Sequence, residues 1–351
     1  MSNTTDERVR RASVFSKILS MPEVGAFLGA IAIFILFTSR DTTGNFAGLG
    51  GLAGWSDIAS TIGMVGIAVS LLMIAGEFDL SSGVMVGSVG LLIGLLVTEF
   101  NMNIWLAIII GLVFAGAIGF LNGWLVHKTK LPSFIVTLAT FFVLKGANLA
   151  YTMMVTGAVR VTGVDKAPGY QSAYNIFAYQ FIVSPDGGVH SFQIQASVIW
   201  WVGFTLLGTW VLTRTKFGNW IYAAGGDANA ARNAGVPVAR TKIALFVTTA
   251  LTAGLVGVID VLRLQGMQAG QGIGYEFFYI IAAAVGGTLL TGGAGSAIGA
   301  SIGAVIMGMA YIGIPYAQWD SNWTSTFLGL ILFTAVMVNT YIGRKARGGK
   351  R

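Results

Sequence analysis

The scarcity of charge within long apolar runs constrains this chain more than any other feature. Runs near the roughly 20 mostly apolar residues that a bilayer crossing needs lie at 22–39, 57–76, 80–98, 103–126, 131–151, 196–213, 243–262, 277–291, 295–314 and 324–342. Charged residues are only 10% of the 351, and hydrophobic ones are 55%; an ordinary soluble domain carries about 25% charged. Such a surface suits lipid, so the sequence predicts an all-α integral membrane protein. It forms one transmembrane domain over 1–351 with about ten spans. The eighth run is short and broken by glycine, which leaves an incomplete or bent crossing open.

The basic residues test this count, because cytoplasmic loops of membrane proteins are enriched in Lys and Arg. With a cytoplasmic N-terminus and alternating sides, 16 of the 21 basic residues fall inside: four in the basic N-terminus (1–21), Lys128 and Lys130, five in the loop 214–242, and five in the tail 343–351. Arg40, Arg160, Lys166 and Arg263 fall outside, and Lys145 lies within a span. Both termini are therefore expected in the cytoplasm. The same clustering between apolar runs favours a topological over a nucleic-acid reading of the net charge of +7. The N-terminal stretch resembles a signal peptide, but no small-residue cleavage pattern follows Phe37, which favours a retained first helix. Spans two to five form a block that begins outside, and spans seven to ten one that begins inside. Two such blocks predict an inverted repeat.

Several classes of chemistry are excluded. There is no cysteine, and His127 and His190 are the only histidines, both expected in connecting segments. No thiolate metal site, HExxH motif or P-loop exists. No catalytic residue, metal or cofactor is expected in this chain, and any ATP-driven step belongs to another protein.

Two connections are long. Residues 152–195 are expected outside, with alternating β-formers about Ser184-Pro185-Asp186-Gly187-Gly188 that predict a hairpin. In 214–242, Gly225-Gly226 reads as a break, Asp227 as the N-cap of a short amphipathic helix through about Asn233, and Gly235 as its end. That helix either rests in the headgroups or docks into a groove on a cytoplasmic partner. Elsewhere, Gly83, Gly87, Gly90 and Gly94, with Gly295, Gly299 and Gly303 and the pair Gly119 and Gly123, form small-residue ridges. These read as static packing or as sliding surfaces around a pathway. Asp79 reads as an N-cap, with ion binding alongside Glu77 as the alternative. Lys145 either snorkels to the outer interface or faces a pathway. Asp260 and Arg263, one turn apart, read as a structural pair.

These residues resemble a family. Gly218, Tyr222, Ala223, Gly225, Gly226, Ala230, Ala231 and Gly235 match the cytoplasmic coupling loop of ribose-type sugar permeases of ATP-binding-cassette importers, in the branched-chain amino acid/sugar permease superfamily. Asp227 stands where asparagine is usual. Asp79-Leu80-Ser81 with Gly83, then Asn122-Gly123 and the run from Lys130 to Leu138, and finally Gly286-Gly287-Thr288 with Gly292, Gly293 and Gly295, are similar to further elements of that family in its order. The resemblance implies a type II importer-like fold and a homodimer of permeases. It also implies an ATPase below, an extracytoplasmic (periplasmic) solute-binding protein above, and a small neutral polar solute crossing the bacterial inner membrane. It assigns ATPase coupling to Gly218, Tyr222, Gly225, Gly226, Asp227, Ala230, Ala231 and Gly235. Asp79, Ser81, Gly83, Asn122, Thr137, Lys145, Gly286 and Gly287 become candidates for pathway or packing roles. An ATPase-independent facilitator, or the same fold carrying a nucleoside or signalling furanone, remains open at this point.

Overall fold

The computed structural model describes residues 22–183 and 192–348. The basic N-terminus before Pro22, the turn of the expected hairpin and the last tail residues lie outside the described residues. Helices follow the apolar runs closely: α1 Pro22–Arg40, α2 Leu49–Ile74, α3 Ser82–Thr98, α4 Ile104–Thr129 and α5 Ser133–Thr156 in the first half. Then come β1 Arg160–Thr162, α6 Tyr170–Phe177, β2 Gln180–Val183, β3 Phe192–Gln195, α7 Ala196–Arg214, α8 Lys216–Gly226 and α9 Ala228–Asn233. The chain continues through α10 Val238–Arg263, β4 Gly266–Gln268, α11 Tyr275–Val285, α12 Ala297–Tyr316 and α13 Thr324–Gly348. Among the described residues, seven helices are long and apolar enough to cross a membrane (α1 from Glu23, α2, α4, α5, α7, α10 and α12), whereas α3 and α11 are shorter apolar helices.

Local chemistry sets several boundaries. Asn103 caps α4 by accepting the Trp105 amide at 3.0 Å. Lys130 leaves that helix in the left-handed region, just before Leu131-Pro132. Ser296 starts α12 by accepting the Gly299 amide at 2.9 Å. His127 therefore sits in the last turn of α4, not in a connecting segment. α2 begins well before the apolar run that announced it, because its first turns are rich in glycine and alanine rather than in large hydrophobics.

The core is built from α2, α3, α10, α11 and α12. α2 packs against α12, and α10 against α4; α2 also packs against α11, and α10 against α3. Glycine permits these approaches. A Cβ on Gly299 or Gly303 would strike carbonyls of α11 and its C-terminus, and one on Gly119 or Gly123 would strike the backbone of α10. The faces of α4, α5 and α7 away from this core carry large exposed apolar side chains, Phe142, Val143, Leu206 and Trp210 among them. That arrangement fits a multi-pass membrane protein, whose outer surface is solvated by lipid.

The eighth run forms a helix too short for a full crossing. α11 has 11 residues, about 16 Å at ~1.5 Å per residue, against a hydrocarbon core of about 30 Å. Residues 286–296 cover the rest as irregular backbone, with Gly287, Gly292 and Gly293 at positive φ. Such backbone is tolerated at membrane depth only where protein satisfies it. Here the Gly293 amide donates to the Ile74 carbonyl at 2.8 Å, and the Leu289 amide to the Ala294 carbonyl at 3.0 Å.

At one end of the bundle β2 and β3 pair antiparallel, Phe181 opposite Ile194, as the alternating β-formers predict. The same connection holds more than the sequence announced. α6 docks through the Tyr170 hydroxyl, which donates to the Leu262 carbonyl at 2.8 Å. β1 pairs with β4, placing Val161 opposite Met267.

Candidate functional site

The end of the bundle opposite the hairpin carries the segment assigned to coupling. It is an elbow of two helices rather than one. Thr215 accepts the Gly218 amide at 3.1 Å and so starts α8. Gly218 lies against the carbonyls of Val211 and Leu212, where a Cβ would not fit. Gly225 and Gly226 close α8 instead of breaking the chain. The turn is made by Asp227, in extended conformation, whose carboxylate accepts the amides of Asn229 at 2.8 Å and Ala230 at 3.0 Å. These bonds, the one from Ala230 the larger influence, hold the Asp227 carboxyl below its ordinary pKa. Gly235, at φ +83°, ends α9.

The elbow is fixed to the bundle by main-chain contact. Gly225 sits directly on the Ile74 carbonyl and the Gly293 amide, and Gly292 lies against Gly76 and the Gly225 carbonyl. The Tyr222 hydroxyl donates to the Gly295 carbonyl at 2.8 Å. The elbow thus grips both the end of α2 and the irregular segment between α11 and α12. Ala231 is 5% exposed and packs with Ala224 and Val238, so it faces inward and offers no surface to a partner. The outward face of α9 is Asn229, Ala230, Arg232 and Asn233.

Behind the elbow, residues from three separated stretches meet in one buried network. Ser81 Oγ donates to Asp79 Oδ1 at 2.6 Å, and Asn122 Nδ2 donates to Ser81 Oγ at 3.0 Å. Thr140 Oγ1 donates to Asn122 Oδ1 at 2.6 Å. Thr137 Oγ1 accepts the Leu80 amide at 3.1 Å, and Ser133 Oγ the Phe78 amide at 3.0 Å. The 75–81 connection is thereby pinned to α4 and α5. Asp79 does not cap α3 directly: the helix begins at Ser82, and Asp79, three residues before it, accepts the Ser81 amide at 2.8 Å. Glu77 is turned to Lys242 Nζ at 2.6 Å, tying this connection to α10. It is an ion pair, and Glu77 does not join Asp79 in a site.

The remaining candidates separate. Gly83 lies against Glu276 and the Gly272 carbonyl, Gly87 against Gln271, and Gly90 against Met267. The ridge on α3 thus receives the strand and loop that follow α10. Gly286 lies against Gly299 of α12. Lys145 is exposed on α5, with Nζ 5.9 Å from the Phe141 ring centre, and belongs to neither cluster. Arg263 pairs across the bundle with Asp57, at 3.0 Å, rather than with Asp260. No local pattern pointed to that partner, which is 206 positions away.

Comparison with known proteins places this geometry. A family model for the branched-chain amino acid transport system / permease component matches residues 51–336. The ribose import permease protein of Escherichia coli K12 is 29% identical over 311 residues, covering 88% of this chain and 92% of that protein. The fructose import permease protein of Rhizobium meliloti is 29% identical over 285 residues, 81% of this chain and 76% of that one. The xylose transport system permease protein of Escherichia coli K12 is 29% identical over 369 aligned positions, 92% and 93% of the two chains. No solved structure matches.

Proposed function

Because this chain belongs to the family of branched-chain amino acid transport system permease components, we propose that it is the membrane-spanning subunit of an ATP-binding-cassette importer for a monosaccharide. The observation that carries this reading is the elbow. A short helix capped by Asp227 projects from one end of the bundle, and its supporting helix is seated on backbone of both α2 and the 286–296 segment. A push on α9 therefore reaches the core without passing through flexible side chains. That is what a chain needs if another protein is to hydrolyse ATP on its behalf. The names of the relatives, importers of ribose, fructose and xylose, give the solute class.

In this reading the elbow end is cytoplasmic, in keeping with Lys128, Lys130, Arg214, Lys216, Arg232, Arg240 and Lys242 near it. The hairpin end faces an extracytoplasmic solute-binding protein. The reciprocal packing of α2 with α11 and α12, and of α10 with α3 and α4, supports an inverted repeat of α2–α5 and α10–α13, with ten crossings or part-crossings. A second copy of the chain completes the pathway, and the buried network of Asp79, Ser81, Asn122 and Thr137 serves as scaffold rather than as an ion site.

The experiment uses Ala230→Trp, because Ala230 is exposed on α9 whereas Ala231 is not. In the assembled complex this change should abolish sugar-stimulated ATP hydrolysis and uptake while the permease still folds. Intact co-purification with the ATPase and intact stimulated hydrolysis would refute the coupling role.

A further inference from the structure

The Asp57–Arg263 ion pair belongs to a chamber that the coupling elbow does not explain. It opens between α2, α10, α11 and α12 towards the hairpin end, with a volume of about 240 Å³. At the ~30 Å³ that each molecule occupies in liquid water, this is room for roughly eight waters, the scale of one sugar ring. Burial deepens from mouth to floor. The side chains of Arg263 and Asp57 are 18% and 27% exposed, whereas Tyr279 is 1% exposed.

Two buried donors in this lining are unspent. The Tyr279 hydroxyl and Arg263 Nε have no hydrogen-bond partner among the described residues. Buried polar groups are almost always paired, and leaving one unpaired costs free energy that a ligand can recover. The other Arg263 nitrogens are committed: Nη1 faces Asp57, and Nη2 donates to Ser197 Oγ at 3.1 Å. Asp260 adds a second carboxylate one turn below Arg263. Tyr275, Phe278 and Tyr311 supply aromatic wall. The set therefore combines carboxylate acceptors, free donors and flat apolar rings, with two carboxylates to one guanidinium. A ring carrying several hydroxyls and apolar C–H faces satisfies all three elements. A phosphate does not, because the excess carboxylate repels it. The placement also suits a transporter site, lying where a discontinuous helix meets the other half of the fold.

We propose that this chamber is a binding site for a single unphosphorylated monosaccharide within each permease subunit. The Tyr279 hydroxyl and Arg263 Nε donate to the sugar, and Asp57 and Asp260 accept from it. The proposal rests on the import reading for its solute class.

The test exploits a chain without cysteine. Thr61, which lines the chamber, is replaced by Cys in the full chain in lipid nanodiscs, and its rate of modification by a small water-soluble thiol reagent is followed. Asn322→Cys, on an exposed turn after α12, is the control. At least one of D-ribose, D-xylose and D-fructose should slow labelling of Thr61→Cys saturably and leave Asn322→Cys unchanged, and D-ribose 5-phosphate should protect neither. Adding Tyr279→Phe should raise the half-protecting concentration about tenfold, as for one lost hydrogen bond, without altering the unprotected labelling rate. Asp260→Asn should weaken protection in the same way. In parallel, uptake of the three sugars is measured in cells supplying the partner subunits. Labelling indifferent to every sugar overturns the chamber. If uptake persists in that case, the import reading survives it, whereas protection without uptake keeps the chamber and removes the import reading.

Discussion

Gly225 and Gly226 are neighbours in sequence and opposites in tolerance, so a pair of alanine substitutions tests the elbow joint. A Cβ at Gly225 would overlap the Ile74 carbonyl and come within 2.8 Å of the Gly293 amide. Neither atom belongs to a side chain that can rotate away, so the backbone of α8 must lift. Overpacking of this kind costs about 1–3 kcal/mol. Straining the 2.8 Å bond from the Gly293 amide to the Ile74 carbonyl removes up to about 1.5 kcal/mol more. Against this, alanine gains about 1 kcal/mol of helix propensity over glycine. The expected balance for Gly225→Ala is a loss of up to about 3.5 kcal/mol. At Gly226 an added Cβ meets nothing within 4 Å, so only the propensity gain remains, and Gly226→Ala should be neutral or slightly stabilising. The assay is reversible unfolding of the purified chain in mixed micelles, followed by the fluorescence of its nine tryptophans. Equal stabilities for the two variants would refute the reasoning, because propensity alone cannot separate adjacent glycines.

Asn122→Ala should cost about 1–3 kcal/mol in the same assay, by removing the buried amide that donates to Ser81 Oγ and accepts from Thr140; an unchanged midpoint would remove Asn122 from the lock on the 75–81 connection. The Asp227 carboxyl titrates below its ordinary value in the folded chain, so the cap is fully present above the ordinary carboxylate range and is lost as pH falls through the depressed value. Amide exchange at Asn229 and Ala230 should accelerate over that acid window in the wild type and be fast and pH-flat, after correction for intrinsic exchange, in Asp227→Ala; identical profiles would exclude the cap. Lys145→Met should change stability by less than about 0.5 kcal/mol and leave uptake near wild type, whereas lost uptake with the complex still assembled would put Lys145 on the pathway.

The helical architecture was legible because lipid demands long apolar runs, and that demand acts residue by residue. The Asp227 cap was legible for a related reason: it is a contact between near neighbours. What escaped depends on partners far away in sequence. Asp260 stands one turn from Arg263, yet the guanidinium turned to Asp57 on another helix. The inward face of α9 was not legible because a helix of six residues has too few turns for periodicity to reveal it. Gly225 and Gly226 read as a break because glycine permits both bending and close approach, and only the position of the Ile74 carbonyl decides between them. The 216–226 helix was passed over as part of a loop, its apolar residues being too few for a span. The convergence of Asp79, Ser81, Asn122 and Thr137 was announced only as motifs in order, with no hint that they bond to one another.

The half-length of α11 also bears on how the chain is made. A segment with so few helical apolar residues does not partition into a bilayer by itself, since its irregular continuation would carry unpaired amides and carbonyls into hydrocarbon. α10 and α12 can be inserted as independent spans; the stretch between them must wait for protein walls to receive it. Its docking onto Gly299 and Gly303 of α12 and onto Ile74 is then expected to follow the insertion of its neighbours. Bulky substitutions at those receiving glycines would yield a chain that is integrated into the membrane yet trapped short of its native state, as prey for membrane proteases.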